Sequence, residues 1–264
     1  MTKSNGYNIR VIERTIGVLN LLSKKMPQNL TQISSELEMN RSTVFRILKT
    51  LESYNFVALD KKSKEYRLGL RCLELAGDYY DKDDLRKIAI DDLTWLRDKT
   101  GESVHLGILD KMEVLYIEKL QGLHAIGLMA SALGRRSPTY CTGLGKVLIA
   151  YEDHNEVRSY FSQCGMKRFT PSTIRSVDEL IGQLKIIKKN GYALDLEEHE
   201  PEVYCVATPI KNSEGKVVAA ISISGPKSRM GNIKGNQELV DIAICAAQRI
   251  SKKLEGQISF GSFG

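Results

Sequence analysis

Arg41-Ser42-Thr43-Val44-Phe45-Arg46-Ile47-Leu48-Lys49-Thr50-Leu51 is the stretch on which the reading of this chain turns. Val44, Ile47, Leu48 and Leu51 recur at three- and four-residue intervals, the period of one helix face. With that stripe turned to a core, Arg41, Ser42, Thr43, Arg46 and Lys49 are left outside. Asn40 or Ser42 can cap the start, and the pattern stops near Tyr54-Asn55. Upstream, Ile9, Ile12, Ile16, Leu19 and Leu22 predict an amphipathic helix over 9–25, stopped by Pro27 and Asn29. A second short helix follows with Thr31 as its cap, and Met39-Asn40-Arg41 makes a tight turn. Downstream, Phe56–Leu59 and Glu65–Leu68 alternate as strands do, around the polar tip Asp60–Lys64. Helix, helix, turn, helix, hairpin is the order of a winged helix-turn-helix, in which the third helix enters the DNA major groove.

Charge supports that order. The 264 residues carry a net charge of +6. Residues 1–70 hold 12 basic and 6 acidic side chains, so the whole excess lies in the first quarter. Such asymmetry points to a polyanionic partner. Arg41 and Arg46 suit bidentate contact with guanine, Ser42 and Thr43 reach bases or phosphates, and Lys49 adds charge. Lys61, Lys62 and Lys64 at the hairpin tip suit the phosphate backbone, giving salt-dependent affinity without sequence information. A three-helix unit with solvated lysines also serves as a protein-interaction module; the localised charge favours double-stranded DNA.

The rest of the composition narrows the class. With 42% hydrophobic and 27% charged residues, the chain reads as a globular protein of one large or two unequal domains. Five scattered cysteines form no Cys-x-x-Cys pair, which fits a reducing cytoplasm and gives no zinc spacing. No apolar core follows the N-terminal lysine and no run of 18 apolar residues occurs, so neither a signal peptide nor a membrane span is expected.

After residue 70 the pattern is helical again through Leu70, Leu73, Leu75 and Ala76, then through Leu85, Ile88, Leu93 and Leu96 to Gly101. Asp81–Asp84 breaks it. Strand-like runs follow at 103–109, 113–117 and 125–129, then helices at 145–151, 152–164 and 177–190. Strands at 204–210 and 217–224 flank the turn Asn212–Gly215, and a helix over 237–254 closes the chain. This mixture predicts an α+β domain, an antiparallel sheet packed by helices. In the strand 217–224, Val217, Ala219, Ile221 and Ile223 make one apolar face; Val218, Ala220, Ser222 and Ser224 make the other, suited to lining a pocket.

The chain resembles the IclR family of bacterial transcription regulators over nearly its full length. The carriers are 42–51, Tyr66–Gly69, Gly134–Lys146, Gly191–Glu198, Tyr204–Ile210 and Ala220–Pro226. Gly-Arg-Arg-Ser-Pro-Thr-Tyr and Gly-Lys-Val-Leu-Ile-Ala are similar to the branch that regulates 2-keto-3-deoxygluconate and pectin catabolism. The resemblance implies a winged helix-turn-helix at 1–70, a connecting helix at 71–83, and a GAF-like effector-binding and oligomerisation domain at 84–264. It implies a homodimer or tetramer, no cofactor, and a small carboxylate or keto-acid effector, with pyruvate or glyoxylate as alternatives to the sugar acid. Its effector positions carry over to Asp195, Cys205, Ser222, Ser224 and the Thr142-Gly143 turn. The chemistry agrees, since N–H groups at a helix start attract a carboxylate and serine hydroxyls donate to one.

Enzyme readings fare worse. Cys205, His199 and Asp195 lie within eleven positions, but nearness in sequence is not triad geometry. Gly143-Leu144-Gly145-Lys146 lacks the earlier glycine of a phosphate loop, which is Tyr140, and has Val147 after the lysine. The four histidines show no paired metal spacing. The sequence therefore predicts a ligand-responsive, DNA-binding regulator of the cytoplasm rather than a thiol enzyme or an interaction module. The reading is a repressor, with a regulator of either sign, repressor or activator, as the alternative.

Overall fold

A computed structural model describes residues 8–25, 27–80, 84–124, 131–231, 233 and 236–258. The chain divides into two compact units, Met1–Asp83 and Asp84–Gly264. In the first, α1 (Arg10–Lys24), β1 (Gln28–Asn29), α2 (Leu30–Glu36) and α3 (Arg41–Ser53) precede β2 (Val57–Leu59), β3 (Glu65–Leu68) and α4 (Leu70–Tyr80). β3 pairs antiparallel with both β1 and β2. The stripe Val44, Ile47, Leu48 and Leu51 is buried against Val18, Leu22, Ile33, Val57 and Tyr66. This is a winged helix-turn-helix, with α3 in the recognition position.

Local details differ from the reading of the sequence. Asn29, not Thr31, caps α2: its Oδ1 accepts from the N–H groups of Thr31 and Gln32, and Gln32 Oε1 accepts from the Asn29 N–H at 2.8 Å. Asn40 precedes α3 without a side-chain cap bond, and Ser42 lies inside the helix. On α1 the buried residues are Val18 and Leu22, whereas Ile9, Ile12 and Ile16 are at least half exposed. Their helical period therefore marks a face that this unit's core does not use. At the hairpin tip, Asp60 Oδ1 accepts from the Lys62 and Ser63 N–H groups, which fixes the turn.

The second unit runs α5 (Asp84–Thr100), β4 (Ser103–Asp110), β5 (Glu113–Leu120), β6 (Arg136–Pro138), α6 (Gly143–Ile149), α7 (His154–Cys164), α8 (Val177–Asn190), β7 (Ala193–Leu196), β8 (Val203–Lys211), β9 (Val217–Pro226), α9 (Lys227–Met230) and α10 (Gln237–Ile258). Its six strands form one antiparallel sheet in the order β6-β5-β4-β9-β8-β7. Leu93 and Leu96 of α5 and Ala243 and Ile250 of α10 pack on one face with Ile221 and Ile223. Leu144, Val147, Phe161, Leu180 and Leu184 from α6, α7 and α8 cover the other with Ala193, Ala207 and Ala220. The fold is α+β, as the alternation of runs implies.

The face assignment along β9 holds from Ala219 onward and reverses before it. Ile210 pairs with Ala219 but Lys211 pairs with Val217, so Val218 is an extra residue in the ladder. This bulge puts Val217 on the α6 side and Val218 on the α5 side. The helix expected at 145–151 begins earlier, at Gly143, because Thr142 Oγ1 caps it by accepting from the Gly145 N–H at 3.2 Å. Two glycines in its first turn hide that start from a propensity reading. The short elements β1, β6, β7 and α9 give no periodic signal. The strand expected at 125–129 and most of the break at 81–84 lie outside the described residues.

Candidate functional site

On α3, Arg41, Ser42, Arg46 and Lys49 are exposed and Thr43 is half-buried; Lys61, Lys62 and Lys64 are exposed at the wing tip. Lys49 is already paired with Glu52, Nζ to Oε2 2.7 Å, one turn along the helix. Lys49 Nζ also lies over the Phe45 ring at 6.0 Å, one turn toward the helix start. Phe45, which the sequence reading left aside, is 45% exposed on the same helix. Its ring offers an apolar contact of the kind that meets a thymine methyl.

The second candidate site is built by strand register. Asp195 of β7 pairs with Cys205 of β8, which pairs with Ser224 of β9. In the next row Ala193, Ala207, Ser222 and His105 pair in turn across β7, β8, β9 and β4. All these side chains share one sheet face, and a slip of one residue would turn them to the other. The small Ala207 lets the Thr142-Gly143 turn approach the sheet: a Cβ on Gly143 would lie 3.3 Å from the Ala207 Cβ. Gly145 sits closer still, where a Cβ would come within 2.2 Å of the Thr139 Cα, so only glycine fits.

Thr142, Gly143, Asp195, Cys205, Ser222 and Ser224 are thereby brought to one cavity of about 30 Å³. The same cavity is lined by His105, Tyr116, Ser131, His199 and Glu200, which the sequence reading had not linked to it. His105 is separated from Ser222 by 117 positions, so only the β4–β9 pairing reveals the association. The N–H groups of Gly143 and Leu144, at the start of α6, have no acceptor among the described residues.

Burial, reinforced by the neighbouring Glu198 charge, pushes Asp195 up to about 7, against the opposing pull of Lys146. Asp195 Oδ1 accepts from the Glu198 N–H at 2.8 Å. Burial, with the Asp195 charge beside it, holds the Cys205 thiol well above its ordinary value. Burial, with the Lys119 charge behind it, drives His105 down to about 3, so this imidazole is neutral. Asp195, His199 and Cys205 do share the cavity, but the nearest carboxylate to His199 Nδ1 is that of Glu200 at 3.6 Å. Cys205 hydrogen-bonds Ser224 rather than a histidine. A protonated thiol without a base does not make an activated nucleophile. Among the described residues, no three His, Cys, Asp or Glu side chains gather to hold a metal ion, and no helix is long and apolar enough to cross a membrane.

Lys146 does not point at a ligand. Its side chain is 1% exposed and runs back from α6 to the Glu198 carboxylate, the Leu194 carbonyl (2.7 Å) and Gln183 Oε1 on α8 (3.2 Å). Thr173 Oγ1 donates to the Glu198 carbonyl at 2.7 Å. These bonds tether the 197–202 segment, which carries His199 and Glu200 to the cavity.

Comparison with known proteins matches both units. Residues 11–61 match the IclR helix-turn-helix domain, and residues 77–252 match the family described as bacterial transcriptional regulator IclR C-terminal. The HTH-type transcriptional regulator KdgR of Dickeya chrysanthemi is 34% identical over 247 residues, 94% of this chain and 80% of that protein. The crystal structure of an IclR transcriptional regulator from Alicyclobacillus acidocaldarius superposes with a TM-score of 0.82 at 28% identity, covering 95% of this chain and 99% of that one. An IclR homolog complexed with 4-hydroxybenzoate, from Microbacterium hydrocarbonoxydans, gives 0.80 at 25% identity, covering 92% and 98%. The chain belongs to the IclR family of bacterial transcription regulators.

Proposed function

We propose that the chain is a repressor of sugar-acid catabolic genes, released from operator DNA when its C-terminal unit binds a small carboxylate such as 2-keto-3-deoxygluconate. The observation that carries this reading is the convergence of Ser222, Ser224, Cys205, Asp195 and the Thr142-Gly143 turn on one buried cavity. Hydroxyl and backbone donors there match the oxygens of a carboxylate. A homolog complexed with 4-hydroxybenzoate supports a carboxylate ligand. Residues 1–70 serve DNA, 71–83 connect, and 84–264 bind effector and a second copy. Apart from 84–264, the first unit also exposes Ile9 and Val11, Ile12 and Ile16 of α1, with Leu70 and Leu73 of α4, which supports a further contribution of that unit to self-association. A dimer places two recognition helices about 34–36 Å apart on a palindromic site. Effector releases DNA only if it binds the incompatible arrangement more tightly.

The cavity's size favours a second reading of the effector. About 30 Å³ is room for roughly two water molecules. A two- or three-carbon keto acid, glyoxylate or pyruvate, fits with less displacement of the lining than a six-carbon acid. Calorimetric titration with the three acids separates the readings. Preference for the sugar acid supports the first, preference for pyruvate or glyoxylate the second, and binding of none sinks both.

Two further outcomes are expected. Arg46→Ala lowers operator affinity by about 1–3 kcal/mol, with relaxed specificity at the base it reads; unchanged affinity in a gel-shift titration removes Arg46 from the interface. Protonated Asp195 donates to a carboxylate, whereas ionised Asp195 repels it. Its raised position near 7 therefore makes effector affinity level below about pH 7 and falling up to tenfold per pH unit above. Asp195→Asn flattens that profile. Affinity rising between about pH 7 and 8.5 contradicts the assignment.

A further inference from the structure

His105 stands in the middle of a chain of polar groups that runs from the half-buried Lys119 to the two pocket serines. Lys119 Nζ donates to the Ser131 carbonyl at 2.5 Å and to Ser131 Oγ at 3.1 Å. Ser131 Oγ lies 2.9 Å from His105 Nε2. On the other side of the ring, Nδ1 lies 3.4 Å from both Ser222 Oγ and Ser224 Oγ. The ring is 2% exposed and tilted against Tyr116, so it is held in place by packing.

A neutral imidazole carries one N–H and one lone pair, and its dipole is negative at the lone-pair nitrogen. The Lys119 ammonium only donates, so Ser131 Oγ accepts from it and has its own proton to give to Nε2. The opposite tautomer would point an N–H, the positive end of the ring, toward an oxygen that already faces an ammonium. The Lys119 charge therefore puts the lone pair on Nε2 and the proton on Nδ1, between Ser222 and Ser224. Those oxygens accept from the ring, so neither serine proton is drawn to His105. Ser222 Oγ and Ser224 Oγ lie 3.4 Å apart and Ser224 also meets Cys205, and both O–H groups are free to turn from these neutral partners to an anion that enters the cavity. With the other tautomer, the Nδ1 lone pair would draw one serine proton away from the ligand.

We infer that His105, oriented by Lys119 through Ser131, is a positioning residue of the effector site that sets Ser222 and Ser224 as paired donors and so selects a ligand group that only accepts, a carboxylate. This rests on the effector reading above and adds to it the origin of anion selectivity. A ligand presenting an amide N–H at that position meets two donors and is disfavoured, whereas a carboxylate oxygen accepts from both.

The test uses the full-length chain labelled with 15N-histidine, with His105 identified by its loss in His105→Gln. The expected result is an Nδ1-protonated neutral ring in the wild-type chain, shifted toward the Nε2–H form in Lys119→Met and restored in Lys119→Arg. Pyruvate, glyoxylate and 2-keto-3-deoxygluconate are titrated in parallel. The tightest binder is expected to lose about tenfold in Lys119→Met, the loss of one charge-assisted donor, and to recover in Lys119→Arg. An Nε2–H ring in the wild-type chain overturns the inference whatever the ligand, as does wild-type affinity in a folded Lys119→Met. Ser222→Ala with Ser224→Ala separates the two layers. Retained binding in that variant defeats the effector site itself, whereas lost binding beside an unaffected Lys119→Met defeats only the role of His105.

Discussion

Replacing Ser222 and Ser224 together by alanine is expected to abolish effector response while leaving operator binding at the wild-type level. Both hydroxyls are buried, at 2% and 3% exposure, on the sheet face that meets the Thr142-Gly143 turn. A hydrogen bond to a charged group contributes about 1.5–3 kcal/mol, so losing two lowers carboxylate affinity by roughly two to four orders of magnitude. Alanine fits the space, since Ala207 and Ala220 already occupy the neighbouring positions of the same face, and the fold is expected to survive. The DNA candidates lie in the other compact unit and do not depend on these hydroxyls. The measurement is a pair of titrations on one preparation, effector by calorimetry and operator by gel shift. A variant that still responds to effector places the ligand elsewhere; a variant that loses both activities has lost its fold.

The second large effect concerns stability. Lys146→Met is expected to destabilise the C-terminal unit by about 3–5 kcal/mol, because it leaves the buried Glu198 carboxylate without its cation. Lys146 bonds three groups on three different segments, and Glu198 Oε2 has no partner of its own among the described residues. Burial already raises Glu198 above the usual carboxylate range despite the adjacent ammonium. Without Lys146 nothing offsets the burial of the Glu198 carboxylate, and the 197–202 segment loses its tether. At about 2–4 °C per kcal/mol for a unit of this size, the thermal midpoint falls by roughly 6–20 °C. Adding Glu198→Gln recovers part of the loss by removing the stranded charge. An unchanged midpoint in Lys146→Met would falsify the view that this ion pair anchors the segment.

How far the sequence reveals these features depends on whether they are local. The recognition stripe Val44, Ile47, Leu48 and Leu51 is local, periodic and buried as its spacing requires. The serine face of β9 is legible too, because strand alternation is local, and it fails only at the bulge near Val217, where register depends on the partner strand. The cap of α2 is ambiguous in the sequence because Asn29 and Thr31 are both competent capping residues, and only the extended backbone at Asn29 decides between them. The exposed Ile9, Ile12 and Ile16 show the limit of periodicity: it identifies an apolar face but not what covers it. His105, Ser131 and Lys119 were out of reach because their meeting depends on the β4–β9 and β4–β5 pairings. Lys146 sat inside a run that resembled a phosphate loop, and its burial beside Glu198, 52 positions away, is what denies it that role.

The central claim is that one chain couples carboxylate binding to DNA release, and it is tested most directly by titrating the wild-type protein onto the fragment upstream of its own gene, with and without each of the three acids. The expected result is selective binding that weakens steeply with salt, as neutralised phosphates require, and that at least one acid reverses in wild-type protein but not in Ser222→Ala with Ser224→Ala. Selective binding that every acid leaves unchanged, or release that persists in the double variant, contradicts the coupling.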